Sequence, residues 1–267
     1  MERMREQGQP TRRDIIASAA AGSGALLAGK LAWAEAARSP GRIDLHHHYF
    51  PPAFLDAQRD AAVRQNRPAA LGAALEGRSK ARTIEAMDRY GIATGILSIS
   101  TPGPWFGNIE ESKRLARECN DYAAAMMRDH PGRFGLFAAL PLPDPDAALR
   151  EIEYAFDVLH ADGVAIMTSY ATSAGATWPG DRSFAPVFAE LNRRKAAAFF
   201  HLGRLGSSQL CCGNVVSGVP DVMAETPHEM TRAIMSLLFN GTLSRNPDIR
   251  EPRRAICSGL PALRREP

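Results

Sequence analysis

The stretch IDLHHHYFPP at positions 43–52 decides how this chain is interpreted. An apolar residue, an acid and a leucine lead into three consecutive histidines, and two prolines then end the element. Because side chains alternate across a strand, His46 and His48 point to one side and His47 to the other. Two imidazoles projecting together from a strand end form half of a metal site for Zn, Fe, Mn or Co. The alternative is a polar strand terminus with surface histidines, but three adjacent histidines in a chain that holds only seven favour the metal site.

Apolar stretches alternate with helical patterns through the middle of the chain. After the strand at Ile43, the sequence predicts strands at 96–100, 134–140, 163–168 and 196–201, and helices at 112–129, after Asp144 with Pro145 in the first turn, at 184–194 and at 230–243. This alternation predicts an α/β fold of parallel β/α units. Five such units fit an incomplete (β/α)8 TIM barrel, since a closed barrel has eight. An open doubly wound sheet is disfavoured because no glycine-rich phosphate loop follows the first strand.

His201 is the second candidate ligand. It follows Ala198, Phe199 and Phe200, so it lies at the C-terminal end of the fifth strand, on the face of a barrel where His46 and His48 also emerge. A lone histidine after an apolar strand is more often a structural hydrogen-bonding residue, but convergence with two others favours a ligand. Three imidazoles would hold a divalent ion and leave room for water or substrate.

The N-terminus has the pattern of an export signal. Arg12 and Arg13 precede a moderately apolar stretch at 17–31, and Ala32-Trp33-Ala34 has the small-x-small form of a cleavage site. We therefore predict a twin-arginine signal peptide at 1–34, recognition by the twin-arginine export machinery and a periplasmic location. The alternative is a basic N-terminal arm on a cytoplasmic protein.

Composition fits one globular domain and gives no basis for nucleic-acid binding. Hydrophobic residues make up 45% of the 267 positions, enough for a real core, and the formal net charge is +3. Residues 1–34 hold five of the basic and three of the acidic residues, so the remainder is nearly neutral. The four cysteines have no framework spacing, and the neighbours Cys211 and Cys212 rarely pair with each other.

The histidine stretch resembles the first-strand HxH motif of the amidohydrolase superfamily. The stretches LPLPD at 140–144, MTSY at 167–170, FAPVFAELN at 184–192 and GVPD at 218–221 resemble its metal-dependent decarboxylase branch, which includes aminocarboxymuconate-semialdehyde, γ-resorcylate and methylsalicylate decarboxylases. The similarity covers positions 43 to 249.

This resemblance implies a distorted (β/α)8 barrel with a divalent ion, Zn in the first place and Mn as the alternative. His46 and His48 match the first-strand ligands, and His201 matches the fifth-strand ligand. The implied reaction is the non-oxidative loss of CO2 from a small aromatic or dienoic carboxylic acid. The superfamily also contains hydrolases, so a metal-dependent hydrolase is the nearest alternative.

The sequence departs from the family near its end. The family places an acid/base histidine in a His-Gly-Gly context after the sixth strand and a metal-binding aspartate after the eighth, and neither has a counterpart here, so the catalytic residues are unassigned. Leu202 follows His201 where the family usually has proline. We expect a partial barrel domain at 35–249, an atypical tail at 250–267 produced by a frameshift near codon 250, and an exposed fifth-strand edge that favours a homo-oligomer. An inactive barrel fragment, or a weak metal-binding module, is therefore a second class of function.

Three aromatic residues are candidates for the substrate pocket. Trp105, Phe106 and Tyr170 each follow a predicted strand end on the expected active face. Ordinary barrel packing explains them equally well.

Overall fold

A single curved sheet of parallel strands organises the protein. The computed structural model describes residues 41–64, 79–172, 175–203 and 221–250, with the backbone alone at 221–226. The strands of the sheet are β1 (Arg42–Tyr49), β2 (Ile92–Ile99), β3 (Phe134–Ala139), β4 (Gly163–Met167) and β7 (Ala197–His201). They are arranged in the order β1-β2-β3-β4-β7, and every neighbouring pair is parallel. All five strands predicted from the sequence are present, and strands adjacent in order are neighbours in the sheet.

Helices connect these strands and cover one face of the sheet. They are α1 (Pro52–Arg64), α2 (Lys80–Arg89), α3 (Ile109–Asp129), α4 (Pro145–Asp157), α5 (Ala185–Arg193), α6 (Asp221–Phe239) and the short α7 (Thr242–Arg245). The predicted cap of α4 is confirmed, because the Asp144 side chain accepts a hydrogen bond from the amide of Ala147 and Pro145 occupies the first turn. Asn108 caps α3 in the same way, through the amide of Glu111.

The sheet curls until its first and fifth strands face each other. The main core lies between the outer face of the sheet and the helices. A smaller apolar cluster fills the concave face and consists of Ile96, Phe137, Ala165 and Phe199. The ring centroids of His46 on β1 and Phe199 on β7 are 5.3 Å apart across this face. This is five-eighths of a β/α barrel, as the sequence predicts.

Two features of the fold differ from the sequence prediction. A small antiparallel hairpin follows β4, formed by β5 (Tyr170–Thr172) and β6 (Gly175–Thr177), and its three-residue strands were too short to be recognised. The helix predicted at 230–243 is α6, which runs from Asp221 to Phe239, so Pro227 lies inside it and Leu243 belongs to the separate helix α7. Proline usually marks a helix start because it lacks an amide proton, and this convention misplaced the boundary.

The edge of β7 is partly paired. Arg250 forms a parallel bridge to Ala197, and its backbone amide and carbonyl bond Ala196 and Ala198, each at 2.9 Å. The prediction of an unpaired fifth-strand edge is therefore wrong for the first residues of β7. Positions 251–267 of the expected tail lie outside the described residues.

The predicted signal peptide at 1–34 also lies outside the described residues, so it stays a prediction. Within the described ranges, no helix combines the length and the apolar character that crossing a bilayer requires. Side chains of α6 that are exposed and apolar include Leu238 and Phe239. The self-association predicted from the edge of the fifth strand stays a prediction.

Candidate metal centre

A bulge in β1 sets the direction of the three histidines. The pairing of β1 with β2 shifts register between Asp44 and His47. Asp44 lies at the start of this bulge: its Oδ1 accepts the amide of His46 at 3.0 Å, and its Oδ2 lies 2.9 Å from Nδ1 of His47. The hydrogen bond with His47 holds the pKa of Asp44 below its ordinary value. Asp44 thereby holds His47 away from the other two imidazoles.

The remaining imidazoles converge with His201 at the C-terminal end of the sheet. The Nε2 atoms of His46 and His48 are 2.9 Å apart, and those of His48 and His201 are 3.1 Å apart. One ring nitrogen from each residue lies within 4.8 Å of the others. The structure thus brings together the three ligands that the sequence predicts.

Backbone carbonyls fix the orientation of two of these rings. Nδ1 of His48 lies 3.0 Å from the carbonyl oxygen of Ser98, and Nδ1 of His201 lies 3.1 Å from that of Leu202. A carbonyl oxygen only accepts, so in each ring Nδ1 carries the proton and donates it. In a neutral ring Nε2 then presents a lone pair, so two lone pairs face each other across 3.1 Å. A cation bound beside the two nitrogens would remove the repulsion between these lone pairs.

The cluster favours a metal ion over a proton as that cation. Burial, together with the neighbouring His48 and His46, lowers the pKa of His201 to about 3. Burial also lowers the pKa of His46. The His46 and His201 rings are therefore neutral at physiological pH, the form in which imidazole binds metals. The donor set fits a divalent ion with three nitrogen ligands.

A second group of buried polar residues lies beside His201 and was not recognised in the sequence. Glu229 on α6 is 5% exposed and accepts hydrogen bonds from the hydroxyls of Thr168, at 2.8 Å, and Ser169. Thr168 in turn accepts the amide of Gly203 at 2.7 Å. The helical spacing of the sequence could have indicated that Glu229 is buried, because Glu229 shares one face of α6 with the buried Ala233 and Leu237.

A buried hydroxyl also lies next to the cluster. Ser98 pairs with His48 in the parallel ladder and lies two residues beyond Ile96, which faces the concave side. Its side chain is fully buried, and its Oγ has no hydrogen-bond partner among the residues that the structure describes. Sequence reasoning gave no reason to single it out.

The three candidate aromatic residues occupy different environments. Tyr170 is 2% exposed, its ring packs edge-on against Phe184, and its hydroxyl oxygen accepts the amide of Met167 at 3.0 Å. Burial raises its pKa well above the ordinary value. Trp105 is half-buried and donates its indole N–H to the carbonyl of Ala171 at 2.7 Å, which ties it to the β5–β6 hairpin. Phe106 is half-buried against the main core. Their role in substrate binding stays a prediction.

Comparison with known proteins agrees with this geometry. Residues 43–250 match the amidohydrolase family over most of the chain. The chain belongs to the amidohydrolase family. A decarboxylase of Aspergillus niger is 37% identical over 215 residues, which cover 78% of this chain and 56% of the relative. The 6-methylsalicylic acid decarboxylase of Penicillium expansum is 36% identical over 208 residues, covering 77% of this chain and 61% of the relative. This amidohydrolase therefore spans about six-tenths of the length of these relatives.

Solved structures agree on the fold of this amidohydrolase. The dihydroxybenzoic acid decarboxylase of Polaromonas sp. JS666, solved with bound manganese and the inhibitor 2-nitroresorcinol, superposes with a TM-score of 0.68 at 23% identity. The match covers 80% of this chain and 64% of that chain. A 2,6-dihydroxybenzoate decarboxylase in complex with 2,6-dihydroxybenzoate gives a TM-score of 0.64, also at 23% identity, over 80% of this chain and 66% of the other.

Proposed function

We propose that this amidohydrolase is a metal-dependent carboxy-lyase, an enzyme that removes CO2 from a small aromatic carboxylic acid. The observation that carries the proposal is the convergence of three imidazoles at one strand-end cluster, with Nε2 of His48 and Nε2 of His201 3.1 Å apart. The relatives named decarboxylases support the reaction type, and the 6-methylsalicylic acid decarboxylases among them support a hydroxybenzoic acid as substrate.

Zn is our first choice of ion and Mn the second. Three imidazole nitrogens and no carboxylate come together within the described ranges, and nitrogen donors suit Zn well. The bound manganese of the Polaromonas decarboxylase supports Mn as the alternative. The protein's own residues supply the position: His48 and His201 present Nε2 because the carbonyls of Ser98 and Leu202 hold their Nδ1 protons.

The chemistry follows from the charge of the site. A divalent ion held there would attract the carboxylate of the substrate and stabilise negative charge as the C–C bond breaks. Three neutral ligands leave the full charge of such an ion available to an anionic substrate. His201, which is 8% exposed, places its nitrogen where little water competes. The residue that would protonate the ring carbon is not assigned.

The experiment is a comparison of metal binding and CO2 release. Purified protein is dialysed against a chelator, reloaded with Zn²⁺ or Mn²⁺, and assayed with 6-methylsalicylate and 2,6-dihydroxybenzoate. We expect CO2 release that depends on metal and is lost in His46→Ala. His160→Asn is the matched control, because His160 lies outside the cluster and its φ of 56° suits asparagine. Metal binding without turnover of either acid would reject the decarboxylase and leave a metal-binding module. Hydrolysis of an ester or amide in its place would identify the hydrolase alternative.

We also propose that the chain is exported through the twin-arginine machinery. The pair Arg12 and Arg13 before an apolar stretch and a small-x-small site supports this proposal. The test is cell fractionation of the full chain beside a variant in which both arginines are replaced by lysine. We expect the wild type in the periplasm and the lysine variant in the cytoplasm. Finding both proteins in the cytoplasm would reject export.

A further inference from the structure

The turn formed by residues 201–203 carries the third imidazole and is held at both ends by one residue. The amide of Thr168 donates to the carbonyl of His201 at 2.7 Å, and the hydroxyl of Thr168 accepts the amide of Gly203 at 2.7 Å. The turn also lies directly on the backbone of Ser169, since a Cβ at Gly203 would clash with the Ser169 carbonyl oxygen. Thr168 therefore fixes the path of the backbone between its two bonds.

The carbonyl of Leu202 lies between these two fixed points. It accepts Nδ1–H of His201 at 3.1 Å and the hydroxyl of Thr101 at 2.7 Å. This carbonyl therefore selects the tautomer and the rotation of the His201 ring. Any movement of the turn would rotate the acceptor and carry Nε2 out of the cluster.

Glu229 determines the direction of the hydrogen bonds that hold the turn. A threonine hydroxyl has one proton, and that of Thr168 goes to the Glu229 carboxylate at 2.8 Å. The lone pairs of the hydroxyl are then oriented toward Gly203. The chain of bonds runs from the Gly203 amide through Thr168 to a buried carboxylate that is 5% exposed. Buried bonds to a charged acceptor are the strong ones.

We propose that Thr168 and Glu229 are positioning residues for the metal centre. They hold the 201–203 turn so that Nε2 of His201 points toward the ion that the three histidines would bind. This inference rests on the proposed metal site but not on the reaction. Residues that support metal ligands in this indirect way change metal affinity by about ten- to a hundredfold when removed.

The test measures the affinity of the full chain for Zn²⁺ and Mn²⁺ by titration of the metal-free protein, together with its melting temperature without metal. Thr168→Val keeps the shape and removes the hydroxyl, and Glu229→Gln keeps the size and removes the charge. We expect Thr168→Val to raise Kd by about ten- to a hundredfold and Glu229→Gln by a smaller factor of at least about three. Thr168→Ser, which retains the hydroxyl, should restore the affinity of the wild type.

Glu151→Gln is the matched control. Glu151 is also a buried carboxylate, but it bonds Arg117 and Asn120 on the helical side of the sheet. The Glu151→Gln variant should have a lower melting temperature than the wild type but a Kd within about twofold of it, because Glu151 bonds neither the three ligands nor the 201–203 turn. A folded Thr168→Val protein with the Kd of the wild type would overturn the proposal. If Thr168→Val does not fold, an unchanged Kd in Glu229→Gln overturns it instead. A wild-type chain that binds neither ion would reject the metal centre itself, which is a different outcome from metal binding without decarboxylation.

Discussion

Gly95 is the position where one added methyl group should disturb the histidine stretch. A Cβ built on Gly95 lies 2.9 Å from Cγ and 3.0 Å from Nδ1 of His47. The His47 ring has little room to retreat, because its side chain is 15% exposed and its Nδ1 is held 2.9 Å from Asp44 Oδ2. Overpacking of this kind costs about 1–3 kcal/mol, so we expect Gly95→Ala to lower the free energy of unfolding by about 2 kcal/mol.

A double-mutant cycle with His47→Ala separates this clash from every other effect. Gly95 has no positive φ, and only the His47 Cβ, 3.3 Å from the added Cβ, remains close once the His47 ring is gone, so the cost of alanine should then be small. His47→Ala alone should cost about 1 kcal/mol, because it removes a partly exposed pair with Asp44. We therefore expect a coupling energy of about 2 kcal/mol between the two positions, measured from urea midpoints at constant m. If Gly95→Ala costs the same with and without the His47 ring, contact between them is not the cause.

Three further changes test individual polar interactions in the fold. Asn120→Ala should destabilise by about 3 kcal/mol in urea unfolding, because the Asn120 amide bonds both the carbonyl and the amide of Ala139 in a fully buried position. Glu190→Gln should lower stability by about 1 kcal/mol after allowance for solvent screening, and this full effect should appear only above pH 4.5. Hydrogen bonds from Arg193 and then Arg194 lower the pKa of Glu190 from 4.5 to about 2, so this stabilisation is lost as the pH falls through that interval. Ser98→Ala should raise the stability of the metal-free protein by about 1 kcal/mol, because it removes a buried hydroxyl that has no partner among the described residues.

Each of these changes has a matched comparison. Asp121→Ala, next to Asn120 but exposed, should cost far less than Asn120→Ala, and equal costs would contradict the role of the buried amide. Glu153→Gln, on the exposed side of α4, should leave the free energy of unfolding unchanged. The other buried hydroxyl without a partner in the described part of the chain is that of Ser112, and Ser112→Ala should behave like Ser98→Ala. A clear loss of stability in both serine variants would show that these hydroxyls do bond.

The parts of the site that local patterns encode could be predicted from the sequence. An apolar run that ends in histidine predicts that the histidine lies at a strand end. Because the C-terminal ends of parallel strands share one face of a barrel, this pattern predicts that His46, His48 and His201 lie together. The bulge could not be predicted, because the register shift at Asp44 appears only when β1 pairs with β2. Tyr170 shows the same limit: following a strand end does not determine whether a side chain turns toward a pocket or into the core.

Glu229 was missed for a different reason. A glutamate in a helix is usually exposed, so its type gives no reason to expect burial, although its spacing matches the buried face of α6. Its hydroxyl partners at Thr168 and Ser169 lie 61 and 60 positions away in the chain, and only the folded structure brings them together. Buried polar networks are hard to predict from sequence for this reason, because their members come from distant segments of the chain.

The curvature of the sheet makes the histidine cluster a junction between the two ends of the domain. His48 and His201 are separated by 153 positions, so closing that loop in an unfolded chain costs about 4 kcal/mol beyond a constant. Of the three clustered ligands, only the neighbours His46 and His48 can therefore chelate together in an unfolded chain without closing this loop. A bound ion would act as a crosslink between the first and fifth strands, comparable in span to a long-range disulfide but reversible. Ion availability would then govern how long the curled sheet persists, as well as any chemistry performed at its end.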